Sequence, residues 1–242
     1  LFLFMKIALL GYGKMGHIIE EIALQRKHDI VLQINDENLD DLTKENIQKA
    51  DVAIEFTNPQ SAVDNILFCL DHNVPVVCGT TGWLSQLKKI EEKCKEVNGT
   101  FLYASNFSVG VNIFFELNKK LATLIKPHPA YNVSIEEIHH TQKKDAPSGT
   151  AITLAEQIID ASGKKNKWVN NETENKNELS IISKRIDEVP GTHSVKYFSP
   201  IDDIEIIHTA HNRKGFAEGA VLAAEFINGK KGIFSMKDVL GF

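Results

Sequence analysis

Between residues 136 and 158 the chain reads EEIHHTQKKDAPSGTAITLAEQI. His139, His140, Lys143 and Lys144 come just ahead of Pro147-Ser148-Gly149-Thr150, where an apolar pattern of helical spacing begins. Pro147 biases Ala146 away from helical geometry, and Ser148 or Thr150 can cap the helix that follows. A helix N-terminus attracts anions through its unpaired N–H groups and its macrodipole. Histidine and lysine charge beside it suits a small dicarboxylate. One carboxylate would rest on the amides of Ser148, Gly149 and Thr150, and the other would meet His140 or Lys143. A histidine there can also deliver a proton near neutral pH. A solvated charge run ahead of a capped helix has the same composition, so this stretch by itself leaves both readings open.

A second cluster with chemical potential is Gly11-Tyr12-Gly13-Lys14-Met15-Gly16, which follows an apolar strand and opens a helix. Glycines at this spacing allow a tight turn and close backbone approach to a pyrophosphate, which the N–H groups of the new helix then face. Asp36, about twenty residues on, can accept hydrogen bonds from a ribose hydroxyl. Asp36 and Glu37 disfavour a 2′-phosphate and point to NAD(H); Lys14 partly offsets them, so NADP(H) is tolerated. Phe56 and Thr57 in EFTNP, and Gly79, Thr80 and Thr81 in GTTG, follow strands at the ends where open α/β sheets bind ligands. Gly79 and Thr81 could hold a carboxamide and Phe56 could wall the nicotinamide, but ordinary caps and turns use the same residues. Ala104, Asn106 and Phe107 lie in ASNFSVGVN, which reads as a crossing between domains and adds to the cofactor set. Arg213 sits at a second crossing, as a carboxylate ligand or a boundary marker. His208 and His211 fall on opposite faces of a strand, so a shared metal with His193 is not expected.

These residues need elements to hold them. Strands are expected at Lys6–Leu10, Ile30–Ile34, Asp51–Phe56, Val74–Cys78 and Thr100–Ala104, with helices after the glycine loop to about Gln25, over Ser61–His72 and over about Leu84–Val97. Buried strands alternating with helices imply a parallel sheet covered on both faces, a Rossmann-type α/β domain. The pattern then changes. A helix over about Val111–Ile125 precedes a half-exposed strand, Asn132–His139, and the helix near Thr150 runs to about Ser162. Residues 163–178 are polar and read as a loop. Strands follow at Leu179–Arg185, His193–Phe198 and Asp203–His211, then a helix over Gly215–Asn228 and a short apolar tail. This middle part is expected to be an α+β domain with an open mixed sheet. The domains are drawn at 1–110 with 213–242, and at 111–212.

The 242 residues carry 27 lysines and arginines against 32 aspartates and glutamates, a formal charge of −5. That excludes nucleic-acid binding through bulk charge. Cys69, Cys78 and Cys94 are odd in number and form no CxxC, so neither a disulfide framework nor a zinc knuckle is indicated, and a cytoplasmic setting fits. No run is long enough for a transmembrane helix. LFLF ahead of Met5 is read as lying outside the native start, with a native strand extension as the alternative.

Taken in order, the glycine loop, EFT, GTTG, NFSVGVN, the string Glu137-Ile138-His139-His140 with Lys143 and Asp145-Ala146-Pro147-Ser148-Gly149-Thr150-Ala151, HTAHNR…FAEGA and MKDVL resemble the 4-hydroxy-tetrahydrodipicolinate reductase (dihydrodipicolinate reductase) family. The resemblance runs over nearly the whole chain from Met5. It implies an NAD(P)H-dependent homotetramer of the diaminopimelate route to lysine, with the C-terminal segment completing the dinucleotide domain and the second domain holding substrate and oligomer contacts. It implies hydride transfer to C4, with His139 as an acid, Lys143 as proton donor or polarising cation, His140 in contact with substrate, and Gly149 and Thr150 on a carboxylate. No metal is implied. The glycine loop is one residue shorter than the common form, Lys14 stands where arginine is usual, and Asp36-Glu37 replaces an acid–arginine pair; these bear on cofactor preference. A different two-domain dehydrogenase would place a lysine after the fourth or fifth strand, where GTTGW and ASNFS have none. A dinucleotide-binding redox sensor would need no proton donors.

Overall fold

Apolar β-branched runs form strands where both faces can be covered, and the computed structural model, which describes residues 4–242, shows eleven of them among eight α-helices in those residues. In chain order these are β1 (Lys6–Leu10), α1 (Lys14–Gln25), β2 (Asp29–Ile34), α2 (Lys44–Ile47), β3 (Val52–Glu55), α3 (Pro59–Asp71), β4 (Val76–Cys78), α4 (Leu87–Glu96) and β5 (Thr100–Tyr103). Then come α5 (Val109–Ile125), β6 (Asn132–His139), α6 (Gly149–Ser162), β7 (Lys167–Val169), β8 (Glu178–Arg185), β9 (Gly191–Phe198), β10 (Asp203–Ala210), α7 (Lys214–Ile227), β11 (Gly232–Phe234) and α8 (Met236–Leu240). The chain divides into two compact units, one running to Val109 and resuming at Lys214–Phe242, the other Gly110–Arg213. Each boundary lies one residue from its sequence-based position. Leu1, Phe2 and Leu3 of the LFLF stretch lie outside the described residues. No helix among the described residues is long and apolar enough to cross a membrane.

In the first unit the sheet has the order β11-β5-β4-β3-β1-β2, and every pairing is parallel. One face packs Ile7, Leu9, Ile54 and Leu102 against α1 and the alanine-rich α7. The other packs Ala8, Leu10, Ala53 and Phe101 against α3 and α4. Small residues let α7 lie close to the chain: a Cβ on Gly219 would stand 1.8 Å from the Phe107 carbonyl oxygen. Arg26 donates to both Glu225 oxygens at 2.9 and 2.7 Å, tying α1 to α7.

The second unit has a sheet of order β10-β9-β6-β8-β7, antiparallel on the β9–β10 side and parallel on the β8–β7 side. Alternation along β6 places Val133, Ile135, Glu137 and His139 on the buried face, and Ser134, Glu136 and Ile138 on the more open one. The covered face packs on α5 and α6 through Phe114, Ala122, Leu154 and Ile158. An apolar stripe on α6 therefore fixes which face of β6 its charged residues share.

Several boundaries differ from the sequence reading for local reasons. α3 starts at Pro59, because Asn58 accepts from the amides of Gln60 and Ser61 at 3.1 Å and proline suits the first helical position. β4 starts at Val76, since Pro75 has no N–H to pair, although its carbonyl accepts from Ala53 at 2.8 Å. The helix expected from Leu84 begins as a tight turn over Leu84–Gln86 before α4. The polar 163–178 stretch, read as a loop, contains β7, whose Trp168 packs on the core. The tail supplies β11, a sixth strand beside β5. Three-residue strands are too short to show a period.

Candidate active site

The first unit carries an open cleft of about 680 Å³ at the carboxyl ends of its strands, lined by residues that include Gly11, Tyr12, Gly13, Asp36, Phe56 and Thr57. The glycines divide the work. Gly11 has φ +100°, and a Cβ there would stand 2.1 Å from the Phe56 carbonyl oxygen. Gly16 lets α1 settle on the turn, with the Gly11 carbonyl 2.7 Å from a Cβ position. Gly13 is the N-cap of α1, makes no side-chain cap, and has nothing within 4 Å of a Cβ. The amides of Gly11 and Tyr12 are bound to the Ile34 carbonyl at 2.9 and 2.7 Å, so the turn is rigid and the start of the helix faces open space. Residues and cleft fit a dinucleotide: an uncapped helix start for the pyrophosphate, and Asp36 exposed at the end of β2 for a ribose. A Gly13→Ala chain is expected to fold with little change in Tm yet bind NADH about tenfold or more weakly, about 1.4 kcal/mol. Gly11→Ala should lose about 2–4 kcal/mol of folding stability. Thermal melts and NADH fluorescence titrations of both variants check this; equal binding by Gly13→Ala and the parent would remove the phosphate from α1.

Phe56 lies over Gly79, where any Cβ would fall 2.1 Å from the ring, and its ring meets Phe107 at 5.6 Å. Thr80 is buried; it accepts from the Thr57 amide at 2.8 Å and donates to Glu55 at 3.1 Å. Glu55 is wholly buried and also accepts from the Thr57 amide, at 3.0 Å, and from the Thr57 hydroxyl, while Cys78 Sγ stands 2.9 Å from its other oxygen. One carboxylate thus joins the loops after β3 and β4. Burial first, then the Glu55 charge, push the Cys78 thiol far up, so it is no nucleophile. Met15 packs against the core, Ala104 and Phe107 are buried in it, and Asn106 accepts from the Ser108 amide at 2.9 Å. Lys14 and Thr81 are exposed. Of the residues selected from sequence, therefore, six line the cleft, while the others support it, flank it or lie apart from it.

In the second unit, β6 brings Glu137 and His139 to one buried face, with Oε2 and Nδ1 2.7 Å apart but out of line with the ring N–H bond. The register sets Glu137 opposite His193 on β9, and His139 opposite Arg185 on β8. Arg185 donates to Glu137 Oε1 at 3.1 Å and to the Asp145 carbonyl at 2.6 Å, holding the 140–148 loop to β8. Ser148 caps α6, and its hydroxyl shares a 3.0 Å hydrogen bond with His193 Nε2. The His139 and His193 rings meet edge to face at 5.0 Å. Burial opposes charge on Glu137, but the nearby His139, the Ser148 amide and Arg185 outweigh it and hold the carboxyl well below the usual range. His193 is pushed down to about 3, by burial first and then by His139. Glu137 is an anion and His193 neutral near pH 7.

The loop residues chosen from sequence are here as well. Lys143 Nζ stands 2.8 Å from each Asp145 oxygen. Burial works to raise the Asp145 carboxyl, but Lys143 outweighs it and lowers it. His140 is half-buried, and Gly149 opens α6 with nothing within 4 Å of a Cβ. Thr150 follows it in the first turn. Ser148 takes the capping role expected of it, while its amide is committed within the protein. That amide donates to Glu137 at 3.2 Å and the residue is 3% exposed, so it faces the protein. Arg213 is exposed after β10. Glu137, His193 and Arg185 were not selected. A period-2 count that paired Glu137 with His139 would have found the first, but the other two depend on register. Donor atoms of Glu137, His139 and His193 lie within 4.8 Å of one another, although the guanidinium on Glu137 works against a cation there.

Family models for the dihydrodipicolinate reductase N-terminus and C-terminus match residues 5–107 and 110–240. The chain is 54% identical over 240 residues to a 4-hydroxy-tetrahydrodipicolinate reductase from Christiangramia forsetii, covering 98% of each. It is 39% identical over 199 residues to one from Methanoculleus marisnigri, covering 81% of this chain and 78% of that one. A dipicolinate-bound dihydrodipicolinate reductase from Paenisporosarcina sp. TG-14 superposes with a TM-score of 0.78 at 23% identity, over 98% of this chain and 99% of that one. That structure shares the fold of one parallel and one mixed sheet. With both family models in place along its length, the chain belongs to the dihydrodipicolinate reductase family.

Proposed function

We propose that this protein reduces 4-hydroxy-tetrahydrodipicolinate to tetrahydrodipicolinate in the diaminopimelate route to lysine, the reaction of the relatives it matches. The C4 hydroxyl leaves as water before or with reduction; NAD(P)H, when bound, would supply the hydride to ring C4, and the ring takes up a proton. The first unit binds it: Gly13 and the start of α1 take the pyrophosphate, Asp36 the ribose, and Phe56 walls the ring. The second unit binds the dianion. Gly149 and Thr150 at the start of α6 take one carboxylate, His140 and Arg213 the other, and Lys143 with His139 handle the proton. The observation that carries this reading is the convergence of His139, His193, Arg185 and the capped start of α6 around one buried carboxylate, Glu137, with Lys143 held by Asp145 in the loop between them. Positioning a dianion among cations and helix amides lowers the barrier by orientation and by charge stabilisation.

The cleft favours NADH over NADPH. Its lining includes Asp36, Glu37 and Asp64, and no lysine or arginine among the described residues. A 2′-phosphate would meet those carboxylates, which the exposed Lys14 beside Gly13 offsets only in part. The reading includes a homotetramer in the cytoplasm. Exposed Ile201, Ile204 and Ile207 in and beside β10 are consistent with a covered sheet edge. The test is the loss of 340 nm absorbance of NADH and of NADPH, a standard wavelength for reduced nicotinamide, with substrate made in situ from pyruvate and aspartate semialdehyde. With the preceding synthase condensing those two compounds, faster synthase-dependent loss with NADH is expected. Equal rates would overturn the preference, and loss with neither would overturn the reaction.

A further inference from the structure

Glu137 has no place in the reading above beyond its charge, yet it is wholly buried at the centre of the second unit's polar cluster. Its two oxygens are divided. Oε1 accepts from the Ser148 amide at 3.2 Å and from Arg185 at 3.1 Å, and Oε2 stands 2.7 Å from His139 Nδ1. That nitrogen is buried and bonded to no other group, and Oε2 is the acceptor beside it. The other ring nitrogen lies against Gly191, where a Cβ would come within 3.0 Å of Nε2. Glycine at that position leaves the Nε2 edge room that any side chain would take. Thr192 pairs with Ile138 and His193 with Glu137, so β9 lays Gly191 alongside His139. The His193 ring, edge-on at 5.0 Å, limits rotation, and its bond to Ser148 ties the imidazole to the first turn of α6.

We infer that Glu137 is a positioning residue that holds His139 through Nδ1, so that Nε2, kept accessible by Gly191, is the nitrogen that exchanges a proton with substrate. This rests on the proposed role of His139. A carboxylate accepts only, so it selects the tautomer with hydrogen on Nδ1 and steadies the imidazolium once Nε2 is protonated. A carboxamide in its place can donate instead and reverse the tautomer.

The experiment is ring ¹⁵N NMR of the full protein labelled in histidine, at a fixed pH above neutrality, with the His139 signal assigned by its loss in His139→Gln. Hydrogen on Nδ1 is expected in the parent and on Nε2 in Glu137→Gln, whose kcat should fall about 10²-fold or more with KM changed little. The same tautomer in both proteins would overturn the inference. Should Glu137→Gln fail to fold, Gly191→Ala leaves every charge in place. It should keep the parent tautomer and NADH affinity and lose about tenfold or more in kcat; undiminished kcat would contradict the access role. A tautomer that reverses in a Glu137→Gln background, with His139→Gln fully active, supports positioning by Glu137 and overturns the proton role of His139 instead.

Discussion

Replacing Lys143 with alanine is expected to lower kcat by about 10²–10⁴-fold, the range for loss of a positioned acid, and to leave NADH affinity unchanged. The second half of that expectation rests on the lining of the dinucleotide cleft, which does not include Lys143. In the structure the ammonium rests on Asp145, bonded to both oxygens. The side chain is 22% exposed, which leaves it screened by solvent on one side and reachable by a ligand. Two roles are open to it, giving up a proton or polarising the imine as a fixed cation. Arginine separates them, since a guanidinium stays protonated at any working pH. If Lys143 transfers the proton, Lys143→Arg is as slow as Lys143→Ala. If it only polarises, Lys143→Arg recovers part of the rate. Stopped-flow and steady-state kinetics of the three proteins read the difference, and full activity in Lys143→Ala would remove the residue from the mechanism.

The second large effect is on stability. Burial and the neighbouring His139 lower His193 to about 3, whereas an unfolded histidine titrates near 6.5. Below 6.5 the unfolded chain takes up a proton that the folded chain refuses, so stability falls as pH falls. The contribution is fully present above about 6.5 and declines by up to about 1.4 kcal/mol per pH unit below it. By pH of about 5 the loss is about 2 kcal/mol. Carboxylates with lowered values, such as Glu137 and Glu225, act further down, through the range below 4.5. His208, also lowered by burial, adds in the same direction. Urea unfolding from pH 7 to 5, followed by Trp168 in a Trp83→Phe background, reports the second unit. His193→Gln should flatten that slope. An unchanged slope would show that His193 is not the group whose protonation the fold resists.

Much of this was legible in the residues. The first unit's alternation of strand and helix is readable because each parallel strand is a continuous apolar run, and Gly11, Gly13 and Gly16 mark where the first helix begins. β6 and α6 could be read from their periods, two and about 3.6. What escaped is what depends on partners distant in sequence. β11 has three residues and becomes a strand only because β5 offers it an edge. β7 is hidden in a polar run for the same reason. The capping role of Ser148 was readable, but not that its amide and hydroxyl are engaged by Glu137 and His193, one on each of two adjacent strands. His193 and Arg185 reach Glu137 through strand register, which no local pattern encodes. The bond from the Thr80 hydroxyl to Glu55 is likewise not readable from the GTTG string.

The most direct test of the account is isotopic. The protein would be run with NADH carrying deuterium at both C4 positions and with substrate supplied by the preceding synthase, and the product examined by NMR and mass spectrometry. A single deuterium on ring C4 of tetrahydrodipicolinate is expected, appearing in step with NADH oxidation and only when the synthase is present. Product without deuterium, or NADH oxidised with the label released to water, would contradict it.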